Sequence, residues 1–436
     1  MLRKCFHIRA VLLLAAIFCA LSVPAQSPPT DDESLQFVIY LSRHGVRSPT
    51  GKAEKYAKYS AAPWPVWDVP PGYLTAHGYE LMKLFGTYDR AKLAAEGLLS
   101  PNSCEDAAHV TILADSDQRT RESGKALAEG LLPGCGTEVH ALPEGAADPL
   151  FHSMEARAVH PDAGLAAAAI SGRIGGAASN LTAAYQPQLI ALDRLLAGCG
   201  KVQSINLART SLLDIPAQLS PGTGDHPAKF EGPLATASTL AENLLLEYTE
   251  GLSGTNLGWG CLNESALREI LELHSAEENY ADRTPAVAQM YASTLLDRID
   301  KALEQSAKGK PVPGAPGKPS DKVLILVGHD TNIASVAGAL GLDWIIDGRS
   351  GDTPPGGALM FELWRGRASR RLSVRVYYTA QTLEQMRASQ PLTISNPPAE
   401  APVFVPGCSG SDMSCDLGTF AAVLHVAAKP ASASQQ

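Results

Sequence analysis

Residues 35–50 read LQFVIYLSRHGVRSPT. The first seven form a continuous apolar run centred on Val38 and Ile39, the pattern of a short strand buried on both faces. Directly after it, Arg43, His44 and Arg47 place two arginines and a histidine within five residues. Positive charge packed at the mouth of a buried strand fits the holding of an anion. A solvated surface turn is the competing reading.

Two other stretches repeat the plan. Val110–Ala114 runs into DSDQRTRESGKALAEGLL, and Val323–Val327 into GHDTNIASVAGALGL. Each passes from an apolar run through polar residues into a helical pattern. The chain therefore reads as α/β, with a central, mostly parallel sheet flanked by helices and ligands bound beyond the carboxyl ends of its strands. Apolar residues recur at three and four across 178–196, 234–250, 264–278 and 286–305. These predict a mainly α-helical second domain, inserted at 141–320 over the active site, with the α/β core at 26–140 and 321–425 and a flexible tail at 426–436. Residues 356–379 read as a returning hairpin, entered through DTPPGG at 352–357.

The three strand ends supply Arg43, His44, Arg47, Arg119, His329 and Asp330. Guanidinium groups are planar and permanently charged, and they match phosphoryl oxygens two at a time. A helix beginning after GHD adds its positive end at the same place. Arg119 and Arg121 lie about 200° apart on a helix, so only one of them faces such a site. His329 and Asp330 also fit a simple helix cap.

The residues at the start of the chain follow the plan of a secretory signal. Arg3, Lys4 and Arg9 precede the apolar stretch Ala10–Val23, and Val-Pro-Ala ends at Ala25. That stretch is short of the ~20 residues a membrane-spanning helix needs. Cleavage after Ala25 is expected, giving a periplasmic or secreted protein with no membrane attachment. It would take the formal net charge from −9 to −12, which argues against nucleic acid as a partner. Six cysteines then remain in an oxidising compartment, enough for 15 pairings. Cys408 and Cys415 are close enough to close a small loop, Cys104–Cys135 is the second choice, and Cys199–Cys261 follows by elimination. No CxxC or HxxxH spacing supports a metal site in their place.

RHGVRSPT, ADSDQRTR and GHDTN, with LTAHGYELMKLFG at 74–86, GWG at 258–260, LHSAE at 273–277, RTP at 283–285 and TPPGG at 353–357, resemble the histidine acid phosphatases. Within the histidine phosphatase superfamily, they are most similar to the bacterial phytase and acid phosphatase subgroup. The resemblance runs from about residue 36 to 424 and implies a phosphomonoesterase of acidic optimum acting on small-molecule phosphate esters. It implies His44 as nucleophile, Arg43, Arg47, Arg119 and His329 as holders of the phosphoryl oxygens, and Asp330 as proton donor. It requires no cofactor and no metal, and a monomer is expected. It also favours Arg119 over Arg121.

Outer positions carry two readings each. Asp115 would sit at the pocket edge. Thr50 and Thr331 fit hydroxyl donation to phosphate or turn and cap roles, and Glu242 fits a substrate-pocket glutamate or a solvated helix face. Lys52, with Lys55 and Lys58, fits the outlying phosphates of a polyphosphorylated substrate or a charged surface run. In the phytases of this subgroup a lysine directly follows RHGVRAPT, whereas Gly51 intervenes here, which weakens the phytate assignment. A narrow sugar phosphatase of the glucose 1-phosphate type is the enzymatic alternative, although RHGVR and HDT count against it. A non-catalytic, exported phosphate-ester binding protein is the alternative from another class.

Overall fold

The computed structural model describes residues 33–201 and 208–429. The expected signal segment 1–25 and residues 430–436 of the expected tail lie outside that range. The main sheet contains β1 (Glu33–Arg43), β2 (Val110–Ala114), β3 (Val139–His140), β4 (Val323–Gly328), β5 (Ala358–Gly366), β6 (Leu372–Ala380), β7 (Ala399–Val403) and β8 (Cys415–Asp416). Its order is β7-β6-β5-β1-β4-β2-β3, with β8 paired to β6. β1, β4, β2 and β3 run parallel. The hairpin expected at 356–379 is the antiparallel pair β5–β6, which joins the sheet beside β1.

Alternation along the strands builds two cores, because successive side chains point to opposite faces. Phe37, Ile39 and Leu41 of β1 join Leu324 and Leu326 of β4 on one face. Helices α5 (Pro285–Lys308), α6 (Asp330–Leu340) and α7 (Leu417–Ala427) cover that face through Leu295, Ile299, Ile333, Val336 and Phe420. Val38 and Tyr40 join Val323, Ile325 and Val327 on the other face. There α1 (Ala76–Ala95) and α2 (Gln118–Leu131) supply Met82, Phe85, Leu127 and Leu131. The apolar runs in the sequence are unbroken because both faces are covered.

A third cluster holds the helical insertion together. Helices α3 (Pro233–Thr249) and α4 (Glu264–Tyr280) contribute Leu240, Leu244, Leu267 and Ile270, packed with Leu189 and Leu192. The helix expected across 178–196 is two helices, Ser179–Ala184 and Gln186–Leu196. Pro187 stands in the first turn of the second, where its missing N–H costs nothing, and it could not continue a helix begun upstream. An antiparallel hairpin, Gln218–Thr223 with His226–Glu231, adds strands within the insertion that the sequence pattern did not signal. Helix α5 lies inside the 141–320 span by sequence, yet its apolar face packs on the sheet. Cys104–Cys135, Cys199–Cys261 and Cys408–Cys415 are paired as disulfides. Among the described residues, no helix is long and apolar enough to cross a membrane.

The contact between α1 and the loop after β1 sets backbone against backbone. A Cβ at Gly78 would lie 2.0 Å from the backbone oxygen of Val46, and one at Gly45 would lie 2.9 Å from the backbone oxygen of Gly78. Backbone cannot yield as a flexible side chain can. Gly78→Ala is therefore expected to lower the melting temperature and to reduce activity with it, by pushing α1 off the RHG loop; overpacking typically costs about 1–3 kcal/mol. An unchanged melting temperature would show that this contact does not fix the loop.

Candidate active site

β4 lies between β1 and β2, and all three point the same way. Arg43 is level with Gly328 and Ala114 with Val327, so three chain segments leave the sheet side by side at its carboxyl edge. The first segment carries Arg43, His44 and Arg47. The second carries Asp115 and leads into α2 with Arg119. The third carries His329 and Asp330 at the start of α6. The insertion adds Glu242 from α3 and His274 from α4.

His44 is 2% exposed. Its Nδ1 lies 2.9 Å from the carbonyl oxygen of Gly45. A carbonyl only accepts, so Nδ1 carries the proton and Nε2 keeps its lone pair. Burial, followed by the charges of Arg119, Arg47 and Arg43, holds the imidazole pKa well below 6.5. The ring is thus a neutral imidazole with a free nitrogen lone pair, among fixed cations.

Arg43 is fully buried. One of its nitrogens donates to the carbonyl of Thr353 at 2.6 Å. The other pairs with Asp330 at 2.7 Å and with Glu242. Arg47 donates to the same oxygen of Glu242 at 2.9 Å. Arg119 pairs with Asp117 at 2.5 Å and lies 3.3 Å from Nδ1 of His329. The Nε atoms of all three arginines are buried without an acceptor among the described residues. Buried donors are rarely left unpaired, so this spare capacity is suited to the oxygens of an anion.

His329 stands at the N-terminal boundary of α6, where its backbone N–H donates to the Asn332 side chain at 2.9 Å. Its Nε2 donates to Asp115 at 2.7 Å, and His152 approaches the same carboxylate oxygen at 3.1 Å. Burial would raise the Asp115 pKa, but the two histidine hydrogen bonds outweigh it and keep the carboxylate ionised. Burial lowers His329 despite that partner. Asp330 is the first residue of α6 rather than its cap. Burial would raise its pKa, but Arg43 and then His274 hold it below the usual carboxylate range. The proton donor implied by the sequence is therefore ionised while it pairs with Arg43.

The outer candidates separate. Glu242 bridges Arg43 and Arg47, and those two charges keep it ionised against burial. Asp115 orients His329. Both the backbone N–H and the hydroxyl of Thr331 approach Oδ1 of Asp330, at 2.8 and 3.3 Å, so Thr331 fixes that carboxylate. Thr50 and Arg119 flank Gly72, with contacts of 3.7 and 3.6 Å to its Cβ position. Lys52 is exposed ahead of the short helix Ala53–Ala57. Lys55 and Lys58 line a separate cleft against α3.

Sequence reasoning missed several members. His274 sits 3.7 Å from Glu278 on α4, and Glu278 accepts from the Thr353 hydroxyl at 2.8 Å, backing the carbonyl that holds Arg43. The i, i+4 spacing of His274 and Glu278 was available in the sequence as a signal. His152, on the loop after β3, carried none. A cavity of about 260 Å³ opens beside Asp330, lined by His152, Asp225, Glu277, Asp282, Tyr291, His329 and Thr331 among others. Burial and the nearby Asp330 charge push Glu277 up to about 7.

The family model described as "Histidine phosphatase superfamily (branch 2)" matches residues 34–194 and 228–379. Phytase AppA of Escherichia coli strain K12 is 35% identical over 416 residues, 93% of this chain and 94% of that protein. Glucose-1-phosphatase of Salmonella typhimurium strain LT2 is 28% identical over 425 residues, 96% and 98% of the two chains. Among solved structures, the Hafnia alvei phytase in complex with tartrate has a TM-score of 0.83 at 33% identity, covering 92% of this chain and 99% of that one. The phytase from Citrobacter braakii gives 0.82 at 33% identity, with 91% and 98% covered.

Proposed function

This chain belongs to branch 2 of the histidine phosphatase superfamily, and from that footing we propose that it is an exported histidine acid phosphatase. It hydrolyses phosphate monoesters, phytate or simpler organic esters, through a covalent phosphohistidine. The observation that carries this reading is a neutral, buried His44 whose Nε2 lone pair is free, surrounded by Arg43, Arg47 and Arg119. Export rests on the N-terminal signal pattern and on six cysteines that pair as three disulfides.

In the first step the Nε2 lone pair of His44 bonds to phosphorus and the ester P–O bond breaks. Asp330 gives its proton to the departing oxygen, which leaves as an alcohol. In the second step water attacks phosphorus, Asp330 takes the water proton, and the P–N bond breaks to release phosphate. The arginines and His329 hold the equatorial oxygens, where charge is spread in the transition state. Positioning and fixed charge supply most of the rate enhancement in such a transfer.

The ionised state of Asp330 fits this scheme once substrate is considered. An incoming phosphoryl group competes with Glu242 and Asp330 for Arg43 and Arg47. Losing the Arg43 partner removes the main force that lowers the Asp330 pKa, and the negative phosphoryl group raises it further. Acidic medium then supplies the proton.

The pH dependence follows with a definite sign. A histidine with a depressed pKa stays neutral, and so nucleophilic, at pH values below 6.5. The ascending limb of kcat/KM is therefore expected well below 6.5, with near-full activity at about pH 5, whereas kcat, which reports the substrate complex, is expected to decline at higher pH as Asp330 loses its proton. An ascending limb centred near 6.5 would mean that His44 is not held by its cations. Phosphate release in excess chelator, compared for phytate, glucose 1-phosphate and a nitrophenyl ester, tests the activity itself. Release from none of them would leave the binding-protein alternative.

A second reading, a sugar phosphatase of the glucose 1-phosphate type, is favoured by the cavity beside Asp330. Its wall carries Asp225, Glu277 and Asp282 with His152, His226 and His329 and, among the described residues, no lysine or arginine. Such a wall suits a leaving group with few negative charges better than one with several outlying phosphates. A kcat/KM for glucose 1-phosphate above that for phytate would select this reading, and the reverse order would select phytase.

A further inference from the structure

We propose that Asp115, Asp117, His152 and His329 form a site for a zinc-class transition-metal ion that inhibits the enzyme. The four ligand atoms lie within 4.8 Å of one another. Nε2 of His152 is 3.1 Å from Oδ2 of Asp115, Nε2 of His329 is 2.7 Å from the same oxygen, and Nε2 of His329 is 3.7 Å from Oδ2 of Asp117. A tetrahedral zinc ion bound at about 2.0–2.2 Å requires ligand atoms about 3.3–3.5 Å apart, and the three separations above, 2.7 to 3.7 Å, bracket that spacing. Two imidazoles and two carboxylates are a donor set suited to zinc, cobalt or copper and poorly suited to magnesium or calcium, which prefer oxygen.

Three further observations point the same way. The second carboxylate oxygen of Asp115 is buried without a hydrogen-bond partner among the described residues, and the residue has 0% exposure. His152 and His329 both line the cavity beside Asp330, which gives an ion a route from solvent. Asp225 places a carboxylate along that route, beside Glu277 and Asp282, whose pKa values burial raises. The opposing charge is Arg119, 2.5 Å from Asp117. The two ligand carboxylates balance the ion's own two charges. No short motif announces the site, because its ligands come from three separated segments.

Inhibition follows from what the ion would take. Asp117 holds Arg119, and Asp115 holds His329. An ion that claims both carboxylates releases two of the groups assigned to the phosphoryl oxygens and adds a positive charge beside them. His152 acts on those groups only through its hydrogen bond to Asp115, so it separates metal binding from turnover better than the other three ligands.

The test uses the full chain freed of metal by chelation. Titration with Co²⁺ is expected to give the intense visible bands of tetrahedral cobalt, saturating at one equivalent and displaced by Zn²⁺. His152→Ala is expected to abolish those bands. His152→Gln, which retains a hydrogen-bond donor toward Asp115, guards against a folding defect and should lose them too. In parallel, Zn²⁺ is expected to inhibit hydrolysis of a nitrophenyl phosphate, with about 10- to 100-fold weaker inhibition in either variant and none from Mg²⁺ at the same concentration. Absence of tetrahedral bands in the wild type, or equal Zn²⁺ sensitivity in wild type and both variants, would overturn the proposal. The cobalt spectrum needs no turnover, so a failure of the phosphatase reading would not be mistaken for a failure of this one.

Discussion

His44→Ala is expected to lose phosphate release from every ester, with kcat falling roughly 10⁴-fold or more, as happens when a covalent nucleophile is removed. The protein should remain folded. The imidazole's hydrogen bond goes to the carbonyl of its own neighbour, Gly45, so removing the ring strands no distant group. Its closest charged neighbours are cations, and deleting a neutral ring relieves none of their ion pairs with Glu242, Asp330 and Asp117. Inorganic phosphate should accordingly still bind, because Arg43, Arg47 and Arg119 remain. Circular dichroism, phosphate titration and turnover on a nitrophenyl ester together check this. Residual turnover within tenfold of wild type would remove His44 from the chemistry and leave it a structural group.

Asp330→Asn should divide substrates by the quality of their leaving group. An alkyl or sugar oxygen needs a proton as it departs, so kcat on such esters is expected to fall about 10²–10⁴-fold. A nitrophenolate leaves without one, so its first step should survive. The second step still needs a base for the attacking water, and Asn supplies none. The variant is therefore expected to release nitrophenol in a burst of about one equivalent and then turn over slowly. The negative charge that pairs with Arg43 at 2.7 Å is also lost in this variant, which tightens rather than weakens phosphate binding by removing a competitor for the guanidinium. Equal losses on both ester types with no burst would reduce Asp330 to a positioning role for Arg43.

The parallel half of the fold was legible because its strands are covered on both faces. Phe37, Ile39 and Leu41 face one core while Val38 and Tyr40 face the other, so β1 reads as one apolar run. The inner site was legible for a related reason. A parallel sheet delivers the ends of β1, β2 and β4 to one edge, and each end shows its polar residues directly after an apolar run. Arg119 could be separated from Arg121 only through the resemblance, yet Arg119 contacts His329.

What stayed hidden depends on contacts between distant segments. Glu242 could be named but not placed, since only the packing of α3 over the sheet edge sets its carboxylate between Arg43 and Arg47. The direction of the Asp330 pKa shift was hidden likewise, because it depends on Arg43 and His274 as well as on burial. His152 reaches Asp115 from a loop whose sequence shows no periodicity. The break at Tyr185 was readable from Pro187, but the leucines on either side kept the helical period and masked it.

The central claim is that phosphate passes through a bond to His44, and the stereochemical course at phosphorus tests it most directly. A phosphate monoester made chiral with oxygen isotopes would be turned over in the presence of an acceptor alcohol, and the configuration of the phosphoryl group that the enzyme transfers to that alcohol determined. Two successive in-line displacements, one by His44 and one by water or the acceptor, are expected to give net retention. Net inversion would mean a single displacement by water, and would contradict the phosphohistidine account.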